Sequence, residues 1–294
     1  MKTDKNILIA FLLNIMFSIF EIVGGLITGS IAIVSDSIHD FGDAISIGIS
    51  YFLEKKSKKN PDNKYTYGYL RYSILGAFMT TSILMIGSPL VIYEAINRLF
   101  NPIQINYNGM ITFAVIGVII NFIAAYTTKD GDSINQKAVN LHMLEDVLGW
   151  IIVLIGSIII KFTDISMIDS IMSILVSLFI FINATKNFKS ILDLFLEKVP
   201  NDISIEELKR HILEFDNVVD VHHIHIWSID GIHNYATMHV VVDKNEFAIK
   251  NKIKEELSEH GISHTTIEIE KKNELCNDLE CHIKYEENKH HHHH

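Results

Sequence analysis

From residue 7 to about residue 187 the chain alternates long apolar runs with short polar breaks, and beyond that point charged and apolar residues intermix at close spacing. A helix of about 20 mostly apolar residues crosses the hydrocarbon core of a bilayer. Six stretches come up to that length: 7–28, 31–53, 73–99, 110–126, 139–162 and 166–184. The first is too long for a signal peptide and has no small-residue cleavage site, so it is expected to stay in the membrane. After Pro200 the pattern predicts a helix over 204–215, strands over 218–229 and 235–242, a helix over 246–260 and a strand over 265–270. The period-two alternation of "VDVHHIHIW" and "YATMHVVVD" is that of half-buried strands. The order αββαβ predicts a small α+β sandwich with its helices on one face. The expected fold is therefore an α-helical membrane protein with six transmembrane helices, residues 1–190, followed by a cytosolic α+β domain, residues 200–285.

Lysines in the connections orient the spans, because positive loops stay in the cytoplasm. The second connection carries Lys55, Lys56, Lys58, Lys59 and Lys64, the fourth Lys129 and Lys137, and the exit from the sixth span Lys186 and Lys189. The opposite loops, "TGS", "NPIQINYNG" and "KFTDISM", hold a single lysine. Both termini are expected in the cytoplasm of a multi-pass protein of the cell membrane.

Composition narrows the function. A net charge of −10, from 25 Lys and Arg against 35 Asp and Glu, argues against nucleic-acid binding, which needs a basic surface. Two cysteines, Cys276 and Cys281, are too few for a disulfide framework and read as a reduced, metal-capable pair. The terminal run His290–His294 is a purification tag and takes no part in the metal argument.

The segment "SDSIHDFGD" sets Asp36, His39, Asp40 and Asp43 inside an otherwise apolar span. A charged residue at membrane depth costs about 2.5–3.5 kcal/mol even on the lenient insertion scale, and such residues mark ion pathways. His39 and Asp43 are four apart, so on a helix they project from one face. "VNLHMLEDVLGW" repeats the spacing in the fifth span with His142 and Asp146. Two facing pairs offer two imidazole nitrogens and two carboxylate oxygens, a tetrahedral set suited to Zn²⁺. Asp36 and Asp40 fall on other sides of the helix and are assigned structural roles. Four protein ligands leave no position for catalytic water, and no His-Glu-x-x-His motif is present, so no enzyme is expected. The alternative is a membrane-anchored zinc sensor without transport.

"EIVGGLITGSIAIVSDSIHDFGD", "YGYLRYSILGAF", "SINQKAVNLHMLEDVLGW" and "VVDVHHIHIWSI" together resemble the cation diffusion facilitator family, zinc-transporter type. The resemblance implies a homodimeric metal/proton antiporter that exports Zn²⁺, with Cd²⁺ and Co²⁺ as further candidate ions, through His39, Asp43, His142 and Asp146. It also implies a metallochaperone-like cytosolic domain that binds zinc through His222, His239 and Glu270, with His264, Cys276 and Cys281 contributing to a neighbouring site at the dimer contact. Strict alternation puts His222 on one side of its strand and His223 and His225 on the other, so these three and His239 are not expected to share one ion. Some members of the family hold a further zinc ion in the second connection. Here that loop reads "DNKYTYGY": Asp62 is present, but Lys64, Tyr65 and Tyr69 stand where histidines are needed, so this site is expected to be missing. Exchange follows from charge. With neutral imidazoles and ionised carboxylates the empty site carries two negative charges, which either Zn²⁺ or protons cancel. Alternating access would rock the helices about the site, with Gly24, Gly25, Gly29, Gly76 and Gly87 allowing close helix contacts.

Overall fold

The computed structural model describes residues 2–28, 31–101, 107–163, 167–244 and 246–272; within these, the side chains of several helix segments, 31–39 among them, lie outside the description. The chain divides into two compact units, Met1–Leu196 and Glu197–His294.

The first unit is built of six long helices: α1 (Lys2–Thr28), α2 (Ile31–Ser57), α3 (Arg71–Phe100), α4 (Tyr107–Thr128), α5 (Ile134–Thr163) and α6 (Met167–Phe195). In α1, α3, α4 and α5 the segments Asp4–Gly24, Arg71–Phe100, Ile111–Thr128 and Ile134–Ile159 are long and apolar enough to cross a membrane. The helices outrun the apolar stretches predicted from sequence. Hydropathy marks the lipid-facing span, whereas helical hydrogen bonding continues past it. Thus α6 runs eleven residues beyond position 184, and there Ile191 is fully buried against Ile74, Ala77 and Ala138.

The distribution of side chains is the reverse of a soluble bundle. Met16, Phe52, Ile86, Tyr93 and Phe162 are 66–82 % exposed, while Asn14, Glu21, Thr80, Thr81, Asn121, Asn135 and Gln136 are buried. In a bilayer the apolar groups belong outside, and polar groups must find partners within. One interior network is built around Glu54, whose Oε2 accepts from Ser73 Oγ at 2.7 Å, Ser133 Oγ at 3.3 Å and Asn135 Nδ2 at 3.3 Å, tying α2 to α3 and α5.

Helix α5 is the pivot of the packing. One side, through Val139, Met143 and Val147, meets Ile7 and Ala10 of α1, Ile47 of α2, and Ala124 and Ala125 of α4. Its other side, through Ala138, meets α3 and α6. Small residues let the helices approach closely. Two of the glycines singled out above sit at such approaches: a Cβ on Gly24 would overlap the ring of Phe113, and one on Gly76 would meet the amide of Asn135. Gly87 has no such neighbour within 4 Å, so it is not a close-packing position, and Gly25 and Gly29 lie outside the described side chains.

The second unit comprises α7 (Ile205–Leu213), β1 (Val218–Ser228), β2 (Asn234–Val242), α8 (Glu246–Glu259) and β3 (Ile262–Lys271), the predicted αββαβ order. Ser204 caps α7 by accepting from the Glu207 amide at 3.3 Å. The sheet has the order β1-β2-β3, antiparallel and then parallel, so α8 serves as the crossover that a parallel pair requires. Along β2 burial alternates strictly: Ala236, Met238, Val240 and Val242 face the helices and pack with Leu208, Ile212, Ile249, Ile253 and Leu257. The residues between them, His239 included, face the side without helices. Gly261, at φ +76°, ends α8 in the left-handed conformation that glycine adopts without strain.

Candidate metal centres

The close packing of α1, α2, α4 and α5 sets the membrane cluster. Asp43 of α2 and His142 of α5 are 5 % and 2 % exposed, and His142 Nε2 lies 3.6 Å from Asp43 Oδ2. Asp146 sits one turn further along α5, and the candidate ligand atoms of the three residues lie within 4.8 Å of one another. Ligands about 2.0–2.1 Å from a tetrahedral zinc ion stand roughly 3.3 Å apart, so modest closure of this trio reaches coordination geometry. His39 lies on α2 one turn before Asp43, where its backbone is helical, but its side chain is outside the described residues, as is that of Asp36. Asp40 is half-buried on the same helix. Asn14 of α1, not singled out from the sequence, donates its amide to Asp146 Oδ2 at 3.3 Å. Such a contact fixes the orientation of a ligating carboxylate. Its sequence signal was a lone amide in the apolar run "IAFLLNIMFSIF".

In the second unit the ladder brings His222 opposite His239, and Glu270 stands opposite Val241, on the helix-free face. The three residues offer ligand atoms within 4.8 Å of one another. His222 Nε2 and Glu270 Oε2 are 3.4 Å apart, and neither has a hydrogen-bond partner among the described residues. His239 Nδ1 lies 2.5 Å from Glu270 Oε1. Buried polar atoms are normally hydrogen-bonded, so two uncommitted atoms spaced as on a tetrahedron's edge suit a shared cation. The opposite nitrogen, His222 Nδ1, lies 3.1 Å from Asp220 Oδ2, an acceptor that would leave Nε2 with a lone pair for metal.

The strict alternation expected of β1 is corrected here. The register shifts between His222 and His225, and His223 adopts φ +54°. A bulge of this kind adds a residue and re-aims the side chains beside it. Consequently the His223 ring comes within 4.9 Å of His239, and the His222 ring within 5.5 Å. The His225 ring lies 5.2 Å from that of His223, and its pKa is lowered first by partial desolvation and then by the neighbouring His223 and His239.

His264 is exposed and stands opposite Tyr235 in β3. Six residues of strand separate it from Glu270, about 20 Å, so the structure does not bring it to the triad. Cys276 and Cys281 lie outside the described residues.

In the second connection of the membrane unit Asp62 is fully committed. Its Oδ1 accepts from the amides of Lys64 and Tyr65 at 2.9 and 3.0 Å, and its Oδ2 from Tyr69 Oη at 2.6 Å and Lys59 Nζ at 3.1 Å. These bonds, that of Tyr69 above all, hold its carboxyl well below the usual carboxylate range. The rings of Tyr65 and Tyr69 pack 4.5 Å apart, with Lys59 over Tyr69 and Lys56 over Tyr72. The loop is closed by its own side chains.

Residues 7–196 match the family model described as the cation efflux transmembrane domain, and residues 200–272 the one described as the cytoplasmic domain of cation efflux proteins. The chain is 31 % identical over 300 residues to the cadmium, cobalt and zinc/H⁺-K⁺ antiporter of Bacillus subtilis, covering 99 % of this chain and 96 % of that protein. It is 31 % identical over 304 residues to the zinc transporter ZitB of Yersinia pseudotuberculosis, with 99 % and 96 % covered. Identity to the metal cation efflux system protein CzcD of Cupriavidus metallidurans is 34 % over 273 residues, with 91 % and 86 % covered. With both domain models matched in order along one membrane-spanning chain, the protein belongs to the cation efflux family of transporters.

Proposed function

We propose that this protein exports Zn²⁺ from the cytosol in exchange for protons, by alternating access through a site formed by His39, Asp43, His142 and Asp146. The observation that carries the reading is the cluster of buried Asp43 and His142 with half-buried Asp146, contributed by two helices inside a bundle whose exterior is apolar. His39 completes the set by its position one helical turn before Asp43. The relatives named as zinc transporters and as a cadmium, cobalt and zinc antiporter support zinc as cargo, with Cd²⁺ and Co²⁺ as further substrates.

Zinc ligation requires neutral imidazole and ionised carboxylate, so zinc and protons compete for the same atoms. Loaded with Zn²⁺ or with two protons, the site stays close to neutral, and either form can be moved at membrane depth more cheaply than the bare double charge. Both termini face the cytoplasm and the protein resides in the cell membrane, as the lysine distribution indicates. The cytosolic unit pairs two copies into a homodimer, in which zinc at His222, His239 and Glu270 stabilises the domain and carries no flux.

The test is zinc flux into proteoliposomes across an imposed pH gradient. Asp43→Ala and Asp146→Ala are each expected to abolish flux while insertion and dimerisation persist, since each removes a ligand without breaking a helix. Wild-type flux in either variant sinks the site. Absence of any pH-driven flux in the unmodified protein favours the membrane-anchored zinc sensor.

A further inference from the structure

A second cluster of metal-capable donors lies on the helix side of the cytosolic unit, away from the triad. It joins His211, in the last turn of α7, to Glu256 and His260 at the end of α8. His211 Nδ1 lies 3.0 Å from Glu256 Oε1, His260 Nε2 lies 3.1 Å from the same oxygen, and the two nitrogens are 3.2 Å apart. We infer that these three atoms bind a divalent transition-metal ion of the zinc class, which clamps the end of α7 to the end of α8.

Geometry is the first argument. The three atoms form a nearly equilateral triangle with edges of 3.0–3.2 Å. An ion about 2.0–2.1 Å from each would stand roughly 1 Å above their plane, leaving the apex of the tetrahedron for water. The side chains are 30 %, 22 % and 34 % exposed, so an ion can reach them from solvent and a water molecule can fill the fourth position.

Hydrogen-bond bookkeeping is the second. A single carboxylate oxygen faces two ring nitrogens that also face each other. If both nitrogens carry hydrogens, two donors point at one acceptor and crowd each other at 3.2 Å. If either is bare, its lone pair confronts the carboxylate. A cation at the centre satisfies all three lone pairs at once.

Donor chemistry sets the ion. Two imidazoles and one carboxylate disfavour Ca²⁺ and Mg²⁺, which take oxygen ligands, and favour Zn²⁺, Co²⁺ or Ni²⁺. The scaffold is suitable as well: Glu256 and His260 are one turn apart, the His260 amide bonds back to the Glu256 carbonyl at 3.1 Å, and Gly261 then turns the chain into β3. Ligation would therefore hold the final turn of the crossover helix. The inference does not depend on the transport site and would stand if that proposal failed.

The experiment uses the full-length protein without its histidine tag, in detergent, carrying His222→Ala and His239→Ala to silence the triad. Zn²⁺ per protomer is measured by equilibrium dialysis with and without the further change His211→Ala or Glu256→Gln. Amide exchange over residues 254–261 is followed with and without Zn²⁺. The expected result is the loss of one ion per protomer in either variant, together with a zinc-dependent slowing of exchange that disappears in both. Unchanged stoichiometry and zinc-independent exchange would show that Glu256 merely hydrogen-bonds two histidines, and would overturn the site. Should one variant fail to fold, the other and the exchange measurement on the His211-containing protein still decide.

Discussion

Zinc at His222, His239 and Glu270 should raise the melting temperature of the cytosolic unit by an amount that can be bounded. The unit carries its own core, from Val199 to Ile269, so a tag-free fragment of residues 199–287 is a fair specimen. At a free zinc concentration one hundred times the dissociation constant, binding adds about 2.7 kcal/mol to stability. For a domain of this size each kcal/mol moves the midpoint by about 4–8 °C, so the expected shift is roughly 11–22 °C. The 3.4 Å spacing of His222 Nε2 and Glu270 Oε2 already suits a shared ion, so little of the binding energy goes into rearrangement. His239→Ala removes a ligand and takes from the buried Glu270 its contact at 2.5 Å. Without metal the variant should be less stable than wild type by about 1–3 kcal/mol and melt correspondingly lower, because a buried acceptor loses its partner, and it should lose the zinc response. Differential scanning calorimetry is the assay, run in a His211→Ala background so that the helix-side cluster adds nothing. A zinc shift of equal size with His239 present and absent would refute the assignment.

Asn14→Ala should weaken zinc binding at the transport site by about 10–100-fold, the usual loss when a group orienting a ligand is removed, read as a raised half-saturation concentration in the flux assay. His39→Asp should lessen the preference for Zn²⁺ over Mn²⁺ in competition, since a hard carboxylate replaces an imidazole; unchanged competition would place selectivity elsewhere. Asp62→Ala should leave the zinc content of tag-free protein unchanged in elemental analysis, whereas loss of one ion per protomer would show the loop to be a site after all. The same carboxyl gives the loop a pH dependence. Its folded pKa is depressed, so its stabilising contribution is complete above the ordinary carboxylate range and drains away as pH falls through and below about 3.9. Tyrosine near-ultraviolet dichroism of Tyr65 and Tyr69 should follow that loss and should not do so in Asp62→Asn.

What the sequence made legible was whatever a local period encodes. The apolar runs located the helices of the membrane unit, and alternation located β1 and β2 to within a residue or two. The four-residue spacing of His142 and Asp146 correctly placed them one turn apart on α5. The bulge at His223 escaped because alternation presumes an unbroken ladder, and only the pairing with β2 shows the extra residue. Asn14 and His211 escaped for another reason. Each meets its partner across a large gap in sequence, 132 residues to Asp146 and 45 to Glu256, and a single polar residue on a helix does not announce what packs beside it. Glu256 and His260 were visible as a four-residue pair, but a pair without a third donor has no reason to be preferred over an exposed helix face.

The transport site and the triad on the sheet differ most in what holds their ligands, and this bears on why one should pass the ion on while the other keeps it. His222, His239 and Glu270 are spread over three strands whose spacing and register are fixed by ladder hydrogen bonds. Separating them means breaking the sheet, so an ion bound there is released slowly. Asp43 and His142 stand on α2 and α5, and among the described residues no backbone hydrogen bond ties one helix to the other. Their distance is set by side-chain packing around Ile47, Val139, Met143 and Val147, together with the Ser50, Glu54 and Asn135 hydrogen bonds toward the end of α2. A rocking motion that opens the mouth of the bundle can change that distance by an ångström or so without breaking a single backbone hydrogen bond, which is enough to exchange zinc coordination for protonation. A disulfide between α2 and α5, placed at positions that meet beside Ile47 and Val139, should therefore stop flux while leaving zinc bound, and full flux in the oxidised protein would show that these two helices do not move apart during transport.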